Sequence, residues 1–64
     1  MAYTRQELKD KVEYEGSVYA VVVEYGIPPE DLPADTPKIV RQSWERVFGM
    51  TDDVFIIQHW LDGA

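Results

Sequence analysis

Cysteine is absent from this chain of 64 residues, so no disulfide can staple the fold, no thiolate can hold zinc and no thiol can act as a nucleophile. Histidine occurs once, as His59, and the longest uninterrupted apolar run, Val18 to Val23, is far shorter than the roughly 20 residues that a membrane-spanning helix needs. The opening residues, Met-Ala-Tyr-Thr-Arg-Gln-Glu, lack the apolar core of a secretory signal. Basic residues are scarce, 6 against 12 acidic, giving a net charge of −6. That balance disfavours direct nucleic-acid binding, which draws its affinity from Lys and Arg displacing counterions from phosphates. These absences together predict a cytoplasmic protein with no membrane segment and no cofactor. No internal repeat or low-complexity segment is present, and the length supports one domain over residues 1–64.

Apolar residues make up 45% of the sequence, too many for a chain of this charge to remain unfolded. The acidity is unevenly spread. Residues 1–35 carry three basic and eight acidic residues, net −5, whereas residues 36–64 carry three and four, net −1.

The pattern predicts an all-α fold, a compact bundle of three or four short helices. Thr4 and Glu7 form a capping-box pair ahead of a helix that starts at Arg5. At 100° per residue Leu8, Val12, Val18, Tyr19 and Val22 share one arc, and Gly26 supplies a left-handed stop with Ile27 as its apolar contact. A single straight helix to Tyr25 would be roughly 30 Å long, with Gly16 at its centre and Glu15 in its apolar stripe. A break near Gly16 removes both difficulties. The alternative is an α+β fold with a β-hairpin over residues 11–25, suggested by the alternation of Val12 and Tyr14 with Glu13 and Glu15 and by the β-branched Val21-Val22-Val23.

Residues 27–36 contain three of the four prolines and read as an ordered loop anchored by Leu32. Asp35 or Thr36 is placed to cap the next helix, with Pro37 in its first position. Ile39, Val40, Ser43, Trp44, Val47 and Phe48 form its inward half, Lys38, Arg41, Gln42, Glu45 and Arg46 its outward half, and Gly49 ends it. Thr51 is placed to cap a last helix, with Asp52 and Asp53 in the first turn and Val54, Ile56, Ile57, Trp60 and Leu61 turned inward.

Chemistry-bearing constellations are few. His59 has Asp62 one turn away, but no Ser or Thr lies in a motif that would expose and activate it as a nucleophile. The pairs Glu30-Asp31 and Asp52-Asp53 lack the alternating ligands and glycine of a calcium loop. A helix-turn-helix reading fails because the second helix carries no Lys or Arg. The expectation is therefore a non-enzymatic protein with no small-molecule ligand or metal.

What the sequence does offer is a surplus of apolar groups. Trp44, Phe48 and Trp60 fall on inward faces, whereas Tyr14, Tyr25 and Phe55 fall off the main stripes and, with Val21 and Val23, exceed what one small core needs. Exposed aromatics of this kind anchor protein interfaces. The sequence thus predicts an acidic protein-protein interaction module that binds a larger protein or itself as a homodimer, with Tyr14, Tyr25, Phe55, His59, Glu13 and Glu24 as the contact set. The alternative is an inhibitor that imitates nucleic acid, of the kind a phage or mobile element encodes, presenting Glu7, Asp10, Glu13, Glu15, Glu24, Glu30 and Asp31 to the basic groove of a DNA- or RNA-handling protein.

Overall fold

The first helix, α1 (Arg5–Glu15), begins where the capping box places it: the Thr4 hydroxyl accepts from the Glu7 amide at 3.1 Å, and the Glu7 carboxylate accepts from the Thr4 amide at 2.8 Å. It ends at Gly16, which is left-handed at φ +99° and donates its amide to the Val12 carbonyl. The computed structural model describes residues 2–47 and 51–64, and among them three α-helices, one π-helix and a 3₁₀ turn make up the regular structure, with no strand. The fold is a compact all-α bundle of short helices.

Residues 11–25 are helical on both sides of Gly16, so the hairpin alternative is overturned. Ser17 restarts the chain, its hydroxyl accepting from the Ala20 amide at 3.0 Å. Residues 18–25 then coil, with Ala20–Tyr25 as a π-helix that closes at Gly26 (φ +88°), whose amide reaches the Val21 carbonyl five residues back. The left-handed glycine and the wider π turn reset the register. Tyr19, expected inside, is exposed, while Val21, expected as surplus, is completely buried. A wheel drawn at constant pitch through Gly16 has no way to show this.

The proline loop is held from three directions. Its 3₁₀ turn, Pro29–Asp31, and the buried Leu32 tuck it against the body, as expected of Leu32. Thr36, expected as a helix cap, is buried and instead donates its hydroxyl to the Pro33 carbonyl at 2.6 Å, closing a turn. The next helix, α2 (Lys38–Arg46), starts from Pro37 without any side-chain cap. Arg41 is not a free surface cation, as its place on the outer wheel suggested: its guanidinium donates to the carbonyls of Pro29 at 2.9 Å and Pro33 at 3.1 Å. The loop therefore spends its otherwise unpaired carbonyls on the helix that follows it.

Val40, Ser43, Trp44 and Val47 form the buried stripe of α2, and Ile57 and Leu61 that of α3 (Thr51–Asp62), the two helices packing side by side. Phe48, the Gly49 stop and the Thr51 cap lie outside the described residues or side chains. Leu8 and Val12 of α1, with Val18, Val21, Ile27 and Leu32, complete the core. Trp44, at 2% exposure, donates its indole N–H to the Ile27 carbonyl at 2.8 Å, so the largest core side chain is also hydrogen-bonded. Two ties join the helices at their ends. Arg5 stacks on the Trp60 ring at 5.4 Å and donates to the Trp60 carbonyl, and Arg46 pairs with the buried Asp53 carboxylate at 3.0 Å.

Two substitutions test this reading of the fold. No atom lies within 4 Å of a Cβ built at Gly16 or Gly26, so Gly16→Ala and Gly26→Ala should each cost about 1–2 kcal/mol through backbone strain alone, measured by urea unfolding. Ser43 is fully buried and its hydroxyl has no partner among the described residues. Ser43→Ala removes that desolvated group and should raise stability by roughly 1 kcal/mol; a loss of the same size would show that the hydroxyl is satisfied.

Candidate functional site

The six side chains expected at the surface are all exposed, and the structure divides them into two sets. Glu13 and Tyr14 ride on the last turn of α1, and Glu24 and Tyr25 on the last turn of the π-helix. Because both segments end in left-handed glycines, Gly16 and Gly26, the chain turns away after each. Between the two rings sits Lys11, its ammonium 3.7 Å from the Tyr25 ring centre and 5.9 Å from that of Tyr14, with the Glu15 carboxylate 3.8 Å away. Cation–π attraction at such exposed positions contributes about 0.5–1 kcal/mol. Lys11 thus ties the π-helix to α1.

Tyr25 is engaged on a second side. Side-chain hydrogen bonding with Tyr25, reinforced by burial, holds the Tyr3 phenol above the usual tyrosine pKa. Tyr3 is itself fixed by its amide, which donates to the Asp31 carbonyl at 2.8 Å. Tyr3, Tyr25 and Lys11 therefore form a surface cluster where the π-helix meets α1, with Tyr25 52% exposed and Tyr14, at 84%, its outer edge.

Phe55 and His59 belong to a different place. They lie one turn apart on α3 and, with Ile56 and Trp60, face Pro37, Ile39 and Val40 across a groove of about 470 Å³ whose walls are almost wholly apolar. Phe55 is 65% exposed and Ile39 57%. Ile39 was expected inward, and the reason for the error is geometric: the buried stripe of α2 is centred between Val40, Ser43, Trp44 and Val47, and Ile39 stands about 90° from that centre. Trp60, expected as core, is only half-buried; one face lies under Arg5 and its edge lines the groove. The groove continues past Pro37 and Trp60 into a second hollow lined by Tyr3, Thr4, Arg5, Pro33 and Asp35.

Asp62 accepts from Gln58 Nε2 at 2.9 Å, an alternative use of the carboxylate that stood nearest to His59 in sequence. Among the described residues no group of three or more His, Asp or Glu is placed to hold a metal ion, and no helix is long and apolar enough to cross a membrane. Glu13, Glu24 and Glu30 are exposed on the acidic half, whereas Glu7 caps α1, Asp10 accepts from Gln6 and Glu15 pairs with Lys11.

The chain is a small all-α domain whose surface combines a groove of apolar side chains between α2 and α3 with an acidic half built from α1, the π-helix and the loop. No protein-family model, no curated protein and no solved structure matches it.

The tyrosine cluster makes a testable statement about pH. The Tyr3 phenol is raised in the folded state, so its contribution to stability is present below the ordinary tyrosine pKa of about 10 and is lost as pH rises through the folded value. Ultraviolet titration of Tyr3, isolated by difference against Tyr3→Phe, should show ionisation above the ordinary range, and Tyr25→Phe should move it back down. An unshifted Tyr3 titration in the native chain would show that the two phenols are not joined.

Proposed function

We propose that this chain is a protein-protein interaction module that works in the cytoplasm and docks through the groove between α2 and α3. The observation that carries the reading is the pairing of Ile39 and Phe55, two large apolar side chains more than half exposed on opposite walls of a groove floored by apolar atoms. Isolated exposed apolar residues are ordinary, whereas a contiguous apolar recess with an aromatic ring at its edge has the composition of an interface centre. Helical segments are commonly bound in grooves of this kind, through apolar side chains spaced at helical intervals. The cytoplasmic setting accords with a small domain that has no disulfide to hold it.

The groove reading centres the contact set on α2 and α3. Phe55 and His59 belong to it and are joined by Ile39 and Trp60, while Glu13, Tyr14, Glu24 and Tyr25 lie exposed on a separate surface. The second reading, imitation of nucleic acid, draws on the exposed Glu13, Glu24 and Glu30 in the half of net charge −5.

Salt and mutation separate the two. Protein immobilised and exposed to extract of its source cell should retain its partner at about 0.5 M salt, where surface charge is screened over roughly 4 Å. Phe55→Ala should weaken that capture about 30-fold or more, the size expected for a central anchor, and Tyr14→Ala should leave it unchanged. A partner lost to salt and indifferent to Phe55→Ala would sink the groove and favour the carboxylate row.

A further inference from the structure

We infer that the occupant of the groove is a second copy of this chain, and that two copies join as a symmetric dimer through their α2/α3 faces; the inference rests on the groove being a protein-docking surface. Three observations select this partner. The first is shape. One face carries both a convex element, the exposed Phe55 and Ile39, and a concave one, the recess over Val40, Ile56 and Trp60. A two-fold contact needs a knob and a hole on the same surface, because each copy must offer what the other receives.

The second is charge. Like copies of a chain of net −6 repel unless they meet where the charge is small. Every residue lining the groove comes from residues 37–60, in the half that carries only −1, while −5 sits on residues 1–35. Both signs flank the recess: Lys38 stands between Pro37 and Ile39, and Asp52 lies one turn before Phe55, both exposed. Arg5 beside Trp60 and Asp35 in the adjoining hollow add one more charge of each sign. The α2/α3 face is thus a place where two copies meet without opposing net charge, whereas residues 16–35, which carry Glu24, Glu30, Asp31 and Asp35 and no basic residue, are where they cannot.

The third is area. The chain exposes 4089 Å², and its body measures 25 × 24 × 21 Å. A standard interface takes roughly 800 Å² from each partner, about a fifth of this surface, with the class beginning near 600 Å². One broad face of so equidimensional a body is close to a sixth of the surface, so pairing whole α2/α3 faces reaches the lower part of that class. A domain of this size buries only about 60% of its extended-chain surface, so a dimer supplies burial that the single chain lacks.

Sedimentation equilibrium of the full chain, from low micromolar to roughly millimolar concentration, tests the inference. The expected result is a monomer–dimer equilibrium whose Kd rises at least about tenfold in Phe55→Glu and in Ile39→Glu and is unchanged in Tyr14→Ala, with equal helicity by circular dichroism throughout. Should either glutamate variant unfold, dilution of the unmodified chain followed by amide chemical shifts gives an independent answer: changes confined to α2 and α3 support the inference, and changes on α1 or the π-helix overturn it. A chain that stays monomeric, or a dimer indifferent to both glutamates, also overturns it. A monomer that still loses a foreign partner through Phe55→Ala leaves the docking groove standing and excludes only the second copy.

Discussion

The hydrogen bond from the Trp44 indole to the Ile27 carbonyl is the contact on which the rest of the arrangement depends. It joins the middle of α2 to the residue that follows the π-helix, across 17 positions of sequence, inside a core where neither group is accessible to water. A buried carbonyl without a partner costs about 1–3 kcal/mol, so the position of Trp44 and the path of the chain after Gly26 are coupled. Once they are fixed, the proline loop has one course open to it, over the N-terminal part of α2, where Arg41 gathers its carbonyls.

That coupling explains why the surface divides as it does. With Trp44 pointing at Ile27, the stripe of α2 is centred on Val40, Ser43, Trp44 and Val47, and Ile39 is left a quarter-turn away, facing α3 from outside. Arg5 draws Trp60 towards α1 and leaves its edge and Phe55 to form the opposite wall. The groove is the residue of a packing solution, apolar because the stripes of α2 and α3 are each wider than the core they cover. The acidic segments are consumed elsewhere, with α1 and the π-helix held together by Lys11 between two tyrosines.

Local signals read from the sequence proved strongest where a single residue controls the backbone. Thr4 with Glu7, Gly16 and Gly26 each act within one turn, and the structure shows all three as expected. They failed where a competing partner existed, one turn away for Thr36 and in a neighbouring segment for Arg41 and Asp53. Thr36 gave its hydroxyl to Pro33, Arg41 left solvent for the loop, and Asp53, expected only to meet the helix dipole, became the buried partner of Arg46. In each case the winning contact pairs a partly buried carbonyl or a buried charge, which outweighs a cap or a solvated position worth about 1 kcal/mol.

The sequence by itself determined where α1 starts, that the chain turns at Gly16 and Gly26, that its acidity lies in the first half and that Phe55 and His59 face outward. These follow from backbone preferences, helical period and charge count, all of them local. Only the tertiary structure decided that residues 11–25 are helical and not a hairpin, that Tyr19 turns out and Val21 in, that Lys11 lies against the Tyr25 ring, and that Ile39 faces Phe55 across a groove. Those outcomes depend on the angular setting of one segment against another, fixed by the π turn at Ala20–Tyr25 and by Trp44 on Ile27, and no count along a single helix contains that angle.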